Sequence, residues 1–267
     1  GSCARVRARF ADVVLIETGE NLGFAEACNR GIARATGEWI VTLNNDAVAA
    51  PDFIAELRAV ASACASHVGS IQARIVFRGR ERTLNSTGIA LFADGTAMDR
   101  DYEAPVRDGD VVEEIFCATA GAAMYRRAML DAIALPSGAF DRGFFMYCED
   151  LDLGWRAQLA GWSCLYAPRA TVAHVFQASS KRHGTDFVAL QCKKNRLRTL
   201  VKNGSRRMIA RGLVRSVLDV GYCVRRGGSA AIGELARGIE SALDERRRVQ
   251  QMTTRPRAEI ERRWIVR

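Results

Sequence analysis

Residues 143–156 read GFFMYCEDLDLGWR, and this stretch guides the interpretation of the whole chain. An apolar, aromatic run ends in three carboxylates within four positions, Glu149, Asp150 and Asp152. A helical pattern of apolar residues follows and ends at Gly161, a typical residue after a helix C-terminus. We expect a helix whose first turn carries the acids, where the helix dipole and free N–H groups stabilise anions. The acids form either an ordinary helix cap or a catalytic cluster beside a buried aromatic run.

The composition is that of a globular protein of 267 residues, with 48% hydrophobic and 26% charged residues. This length fits one large domain, or a domain with an appendage. No run approaches the roughly 18 apolar residues of a membrane span, and no signal-peptide pattern stands at the start. Eight cysteines are scattered without a C-x-x-C pair, which indicates free thiols rather than disulfides or a zinc site. We therefore expect a cytoplasmic protein.

The net charge of +9 is unevenly distributed along the chain. Residues 193–267 carry 20 Lys and Arg against 7 Asp and Glu, whereas residues 1–192 carry 19 against 23. Helical patterns near 205–224 and 229–251 place arginines beside apolar residues, which predicts basic amphipathic helices. These helices form either the solvated face of a bundle or a surface for an anionic membrane. Basic residues are not interleaved with aromatic ones and no nucleic-acid motif occurs, so we expect no nucleic-acid partner.

Strand and helix patterns alternate over the first 60 residues. Residues 13–16 (VVLI) predict a short buried strand, and residues 25–35 predict a helix. Trp39–Leu43 reads as an apolar strand covered on both faces, and Pro51 opens the next helix. This rhythm predicts an α/β fold with a mostly parallel central sheet, right-handed crossovers and helices on both faces.

Further strands are expected in the middle of the chain. Asp94-Gly95 predicts a hairpin turn, and residues 115–125 read as a strand in which Gly121 allows a close backbone approach. Two short strands flank Pro168, and a helical pattern begins near residue 186.

Polar residues follow the strand that ends at Leu43. Ligands of open α/β sheets bind beyond the carboxyl ends of the strands, where Asn44-Asn45-Asp46 stands. Asp46 is either a turn residue or an oxygen ligand for a divalent cation that carries a diphosphate. His174, inside an apolar strand pattern, is either a satisfied core residue or a metal ligand.

Four motifs occur in a fixed order over about residues 10–200. They are NLGFA at 21–25 with NRG at 29–31, LNND at 43–46 with PD at 51–52, GAAM at 121–124 with RR at 126–127, and FD at 140–141 with FFMYCEDLDL at 144–153. Gly161-Trp162, Pro168 and His174 follow. Together they resemble the family 2 glycosyltransferases of the GT-A fold, above all the bacterial rhamnosyltransferase-like branch that builds cell-surface polysaccharides. Each motif alone is weak, but the ordered set is specific.

The resemblance implies an inverting transfer of a sugar from a nucleoside-diphosphate donor to a cell-surface polysaccharide or a lipid-linked glycan. Rhamnose is one candidate sugar. Asp150 would be the general base for the acceptor hydroxyl, supported by Glu149 and Asp152. Asp46 and His174 would bind Mg²⁺ or Mn²⁺ on the donor diphosphate, and the imidazole favours Mn²⁺. A lipid-linked acceptor would place the protein at the anionic inner face of the cell membrane.

The resemblance also implies which residues contact the two substrates. Donor-binding residues would be Asn21, Gly23, Asn29, Asn44, Asn45 and Asp46, and the acceptor side would include Gly121 and Ala122. Asn44 stands where the family's metal motif has its first Asp. Lys193, Lys194 and Arg196 fall where relatives carry a basic segment near the active site.

Relatives begin with a strand, a helix and a second strand that this chain lacks. We therefore expect an N-terminally truncated GT-A domain at residues 1–200 and a basic helical C-terminal extension at residues 201–267. Two alternatives to an active transferase stand beside it. One is a catalytically inactive GT-A remnant that serves as a binding module. The other is a nucleotidyltransferase, against which the lack of a Gly-rich loop with a phosphate-binding Lys argues.

Overall fold

The computed structural model of the protein describes residues 2–109, 111–175 and 185–266. Its α-helices, in chain order, are α1 (Ser2–Arg9), α2 (Gly23–Arg34), α3 (Phe53–Ala63), α4 (Arg127–Ala132), α5 (Glu149–Leu159), α6 (Thr185–Asn203), α7 (Arg206–Arg211), α8 (Leu213–Met252) and α9 (Arg257–Trp264). Its β-strands are β1 (Trp39–Leu43), β2 (Ala47–Ala49), β3 (Val68–Phe77), β4 (Arg80–Ser86), β5 (Ile89–Leu91), β6 (Ala97–Asp99), β7 (Glu113–Ile115), β8 (Ala122–Arg126) and β9 (Ser163–His174).

The central sheet has the strand order β1-β8-β3-β9-β2, with β4 added to β3 and β7 added to β9. Its pairing corrects the expectation of a mostly parallel sheet, because β3 with β9 is parallel and the other described pairs of this sheet are antiparallel. The strand–helix–strand rhythm did indicate the direction of β1 and β3, which run the same way. However, β8 enters between them in the opposite direction and takes the hydrogen bonds of both.

Helices cover both faces of this sheet, as expected. Ile40 of β1 packs into a core cluster that includes Ala25 of α2. Val41, on the opposite face of the same strand, packs against a cluster that contains Phe53 and Leu57 of α3. This two-sided burial explains why β1 reads as an apolar run rather than an alternating one.

The predicted strand at residues 13–16 is wrong. This segment forms no regular structure, and Val13 and Val14 are exposed. A strand requires a hydrogen-bonding partner, and among the described residues β1 is paired only on the edge that faces β8. Residues 13–16 are therefore apolar without being buried in the core.

Two further strand predictions need correction. The expected strand over 115–125 is divided into two strands. Its first part, β7, pairs with β9, whereas its last part, β8, lies between β1 and β3. Residues 116–121 connect the two parts of the sheet. The two strands expected around Pro168 are one strand, β9, whose register shifts between the pairs Ala73–Ala167 and Arg74–Thr171. The irregularity accommodates Pro168, which has no N–H to donate. The hairpin at Asp94-Gly95 is confirmed by the antiparallel pair β5–β6.

Helix α5 starts at the acids, as predicted, and Gly161 has a φ of +94° just beyond its end. Its burial is more complete than the single apolar face suggested. Leu151 and Trp155 pack with Val249 of α8 and Ile260 of α9, whereas Leu153 packs on the opposite side, in the cluster that contains Ala25. The helix that carries the acids is therefore held between the sheet and the C-terminal helices.

The C-terminal helices share a core with the rest of the chain. Helix α8 packs along α6 and bends at Gly228, where φ is +62°. The expected boundary between residues 200 and 201 falls inside α6. Of the helices that the structure describes, none combines the length and the hydropathy that a membrane-spanning segment requires.

Candidate functional site

The carboxyl end of β1 meets the start of β8. The backbone N–H of Asn44 donates to the carbonyl oxygen of Gly121 at 2.9 Å. A Cβ at Gly121 would lie 3.3 Å from Nδ2 of Asn44, so the close approach expected at this glycine is present. Asn45 is exposed beside them. Ala122, in contrast, is buried in the core beneath α3, so its side chain does not support the acceptor contact that the resemblance implied.

Asp46 and His174 lie together at the same edge of the sheet. The chain turns from Asp46 directly into β2, whose Ala47 pairs with His174 of β9. Nε2 of His174 lies 3.1 Å from Oδ1 of Asp46, and Nδ1 lies 2.8 Å from Oδ1 of Asn85 in β4. When Nδ1 carries the proton it donates to Asn85, and the lone pair of Nε2 faces the carboxylate. A second residue that fixes the tautomer in this way is typical of metal-binding histidines.

The spacing of these two groups fits a divalent cation. Two ligands at right angles around a cation with bonds of ~2.1 Å lie roughly 3.0 Å apart, close to the distance between Oδ1 of Asp46 and Nε2 of His174. Within the described ranges no group of three or more His, Cys, Asp and Glu is arranged to hold a metal.

Asp150 lies at the start of α5 and faces the turn before β8. Its Oδ2 accepts a hydrogen bond from the backbone N–H of Ala120 at 3.2 Å, and its Oδ1 accepts one from Leu151 at 2.8 Å. Burial raises the pKa of Asp150, although these hydrogen bonds and one from the Thr119 side chain oppose the rise. A carboxylate held in place with a raised pKa is suited to accept a proton near neutral pH.

Glu149 differs from its neighbour. It is buried, and its Oε2 has no hydrogen-bond partner among the described residues. Burial, followed by the charge of Asp150, raises the pKa of Glu149 well above its ordinary value. The expectation that the start of the helix stabilises the acids as anions is therefore wrong for Glu149 and is opposed at Asp150, because burial raises the pKa of both groups.

Asp152 belongs to a buried ionic network rather than to the sheet edge. Its Oδ2 accepts from Arg156 at 2.9 Å, and its Oδ1 accepts from Asn203 at 2.8 Å and lies 3.0 Å from Nζ of Lys202. Lys202 also contacts carboxylates of two other segments, Asp141 and Glu245. Asp152 is fully buried, so any support that it gives to Asp150 acts through the position of α5.

The start of α2 packs against the loop that precedes α5. Oδ1 of Asn21 accepts from the backbone N–H of Gly23 at 3.0 Å. Gly23 has a φ of +77°, and a Cβ there would lie 2.3 Å from the carbonyl oxygen of Phe145. The backbone N–H of Ala25 donates to that same oxygen at 3.3 Å. The turn at 21–23 therefore lies next to the loop that leads into the helix carrying Asp150.

Asn29 does not reach this turn. Its Nδ2 donates to the carbonyl oxygens of Ser137 and Phe140, and its Oδ1 accepts from the N–H of Phe140. A Cβ at Gly138 would lie 2.5 Å from Nδ2 of Asn29, which shows how closely this loop encloses the amide. The expected donor-binding role of Asn29 is not supported, because its amide holds residues 137–140 against α2.

The basic segment of α6, Lys193, Lys194 and Arg196, faces α8 rather than the sheet edge. Lys193 and Arg196 both bind Asp219 of α8, at 2.9 and 2.7 Å, and Lys194 binds Glu234 at 2.8 Å. These contacts place the three cations against α8, because the face of α6 that carries them packs on that helix. They do not support a role near the sheet edge.

A family model described as "Glycosyltransferase like family 2" matches residues 2–196. The chain belongs to this family. Two curated relatives from strains of Mycobacterium tuberculosis, both named N-acetylglucosaminyl-diphospho-decaprenol L-rhamnosyltransferase, are 26% identical over 219 residues, a match that covers 69% of this chain and 66% of each relative.

A solved structure confirms the fold of this glycosyltransferase family member. The crystal structure of GalNAc-T7 with UDP, GalNAc and Mn²⁺ aligns with 98% of this chain and 48% of its own, at a TM-score of 0.58 and 12% identity. This chain thus spans about half the length of that protein. At this identity the likeness concerns the fold alone, and it confirms the GT-A architecture that the ordered motifs predicted.

Several residues near the candidate site were not expected from the sequence. Asn85 faces His174, and Gln72 of β3 accepts at its Oε1 from the backbone N–H of Thr119, which fixes the turn beside Asp150. Burial raises the pKa of Asp99 in β6 to about 6, and the charge of Asp150 adds to this rise. None of these residues lies in one of the four motifs, so no local signal pointed to them.

Proposed function

We propose that the chain is the catalytic part of a glycosyltransferase that transfers a sugar from a nucleoside-diphosphate donor to an acceptor hydroxyl with inversion. The observation that carries this proposal is the hydrogen bond between Oδ2 of Asp150 and the N–H of Ala120. This hydrogen bond directs a half-buried carboxylate at the turn before β8. The next residue of that turn, Gly121, accepts a hydrogen bond from the N–H of Asn44. The base candidate and the polar end of β1 therefore share one edge.

Asp150 has the properties that the proposed reaction requires of its base. The carboxylate removes the proton of the acceptor hydroxyl while that oxygen attacks the anomeric carbon from the side opposite the departing diphosphate. The N–H groups of Ala120 and Leu151 fix its orientation during this step. Since burial raises its pKa, proton transfer from a hydroxyl is more favourable than to an ordinary Asp.

Asp46 and His174 are the proposed ligands of Mg²⁺ or Mn²⁺, and Asn85 orients the imidazole. When bound there, a divalent cation supplies charge neutralisation for the diphosphate leaving group. Asn44, Asn45 and the turn at Asn21 and Gly23 are the proposed donor contacts.

Rhamnose is the proposed sugar, and a lipid-linked glycan is the proposed acceptor. The support is the name of the curated relatives, which describes rhamnosyl transfer to a diphospho-decaprenol carrier. The decisive experiment incubates the chain with a panel of nucleoside-diphosphate sugars, a short-chain lipid-diphosphate acceptor and Mn²⁺, and measures glycosylated acceptor by mass spectrometry. Product from one donor supports transfer. Donor binding without product or donor hydrolysis favours the alternative below.

The alternative is a catalytically inactive binding module with the same fold. The second edge of β1, which is unpaired among the described residues, and the exposed Val13 and Val14 favour it, because an unpaired strand edge beside exposed apolar side chains is a surface to which another chain can bind. In that case the chain binds a nucleoside diphosphate or a glycan but turns over neither.

Association with the inner face of the cell membrane is proposed from one surface. Leu213, Val214, Val217 and Leu218 at the start of α8 are each more than 60% exposed. Exposed arginines of α7 and of the first turn of α8 are close to them in sequence, namely Arg206, Arg207, Arg211 and Arg215. Apolar side chains beside clustered cations are the pattern of reversible binding to anionic lipid, at about 1 kcal/mol per basic residue.

A further inference from the structure

The loop that leads into α5 is held in an unfavourable backbone conformation. Phe145, Tyr147 and Cys148 have φ values of 60°, 70° and 65°, a region that residues with a Cβ rarely adopt. Each such residue persists only where surrounding contacts determine it, and such residues cluster at functional sites. Cys148 is the residue immediately before Glu149 and Asp150, so the start of α5 depends on this loop.

Asn195 of α6 supplies the contacts that hold the loop. Its Nδ2 donates to the carbonyl oxygens of Phe144, Met146 and Tyr147 at 3.0, 2.8 and 2.7 Å. Gln191, one turn earlier, adds a bond to Phe144 at 2.9 Å. Asn195 is 4% exposed. The two N–H groups of one buried amide are thus shared among three carbonyl oxygens of a single four-residue segment.

The loop transmits its position to both halves of the site. The carbonyl oxygen of Phe145 accepts from the N–H of Ala25 at the start of α2, and that of Cys148 accepts from the N–H of Asp152 in α5. Release of the loop would therefore move the first turn of α5, which carries Asp150, relative to Ala120.

We infer that Asn195 is a positioning residue, which holds the strained loop 145–148 and thereby aims the Asp150 carboxylate at the acceptor hydroxyl. The role in transfer rests on the proposed function, whereas the structural part does not. Asn195 contacts neither the reacting atoms nor Asp150, and it acts through the loop backbone. Sequence periodicity places it on the same helical pattern as apolar core residues, which gives no hint of this role.

The test substitutes Asn195→Asp, which keeps the shape but replaces the N–H donors with a carboxylate that repels the three carbonyls. Hydrogen exchange at the amides of Ala25 and residues 149–152 is expected to accelerate at least tenfold. The kcat for transfer is expected to fall at least thirtyfold, while the Kd for the nucleoside diphosphate changes less than threefold. The matched control Gln191→Glu removes a donor from Phe144 alone and should lower kcat less than fivefold.

A buried Asp at position 195 could prevent folding, so Asn195→Ala is the second variant. It should accelerate hydrogen exchange at the same amides, those of Ala25 and residues 149–152. Unchanged loop exchange in the folded variant would overturn the inference. So would a kcat that falls no more than in the Gln191 control. If wild type transfers no sugar, the proposed function fails, and the hydrogen-exchange comparison alone decides whether Asn195 holds the loop.

Discussion

The carboxylate of Asp150 and the backbone N–H of Ala120 are joined by a hydrogen bond of 3.2 Å. This contact connects the first turn of α5 to the turn that precedes β8. In that turn before β8, the carbonyl oxygen of Gly121 accepts a hydrogen bond from Asn44 at the end of β1. Through Asp46 the same edge reaches His174 of β9. Residues far apart in sequence therefore share one edge of the sheet.

Asp150→Asn is expected to lower kcat by about 10²–10⁴, the usual contribution of a general base, because the amide cannot accept the proton. Affinity for the nucleoside diphosphate should persist, and titration calorimetry measures it. Asp131→Asn, an exposed acid on α4, is the matched control and should leave kcat unchanged. Normal turnover in the Asp150 variant would remove this residue from the reaction.

Donor binding is expected to depend on a divalent cation. Calorimetric titration with a nucleoside diphosphate should show at least tenfold tighter binding with Mn²⁺ than with a chelator, and Asp46→Asn should abolish this difference. Asn85→Ala should weaken the affinity for Mn²⁺ by about 10–100-fold, because the imidazole of His174 loses the residue that orients it. Equal affinity with and without Mn²⁺ would refute this assignment.

Lys202→Met is expected to lower the free energy of unfolding by about 3–5 kcal/mol, because it removes the buried cation that Asp141, Asp152 and Glu245 share. Nζ of Lys202 lies within 3.0 Å of Asp141, Asp152 and Glu245. Denaturant unfolding measures the change. The control Lys194→Met breaks a single, more exposed pair and should cost less than about 1 kcal/mol. Similar losses in both variants would contradict the importance of the network.

Asp99 should make stability depend on pH. Burial raises its pKa from 3.8 to about 6, so the folded state binds its proton more readily than the unfolded state between these values. Stability from this group is therefore present below about pH 4 and is lost as pH rises through 6. Asp99→Asn should raise the free energy of unfolding at pH 8 by about 1–3 kcal/mol and have little effect at pH 3.5. A pH-independent effect would contradict this pKa shift.

The surface at the start of α8 is expected to bind vesicles that contain anionic lipid, and the binding should weaken at high salt. Removal of all residues after Gly204 is not a suitable test, because Val249 and Ile260 belong to the core. The double substitution Val214→Asp with Leu218→Asp should instead abolish co-sedimentation. Ile232→Asp, an exposed position on the same helix beyond Gly228, is the control. Equal binding of both variants would indicate that the surface is merely solvated.

The sequence by itself determined several local elements and the family. The bounds of β1, the hairpin at Asp94-Gly95 and the start of α5 at Glu149 follow from signals that act over a few residues. Turn chemistry, apolar runs and helix periodicity are of this kind, because they reflect backbone preferences and the burial of neighbouring side chains. The ordered motifs added the GT-A fold, which the comparisons confirmed.

Only the tertiary structure decided the sheet order and the direction in which each polar side chain points. Pairing of β8 between β1 and β3 depends on contacts across the whole sheet, so an apolar pattern cannot reveal it. Asn29 and Asn195 carry the same amide as Asn21, yet each satisfies backbone groups of a distant loop. Asn85 reaches His174 although 89 residues separate them. A buried amide or carboxylate binds whichever partner the packing brings within about 3 Å, and that partner is a property of the fold.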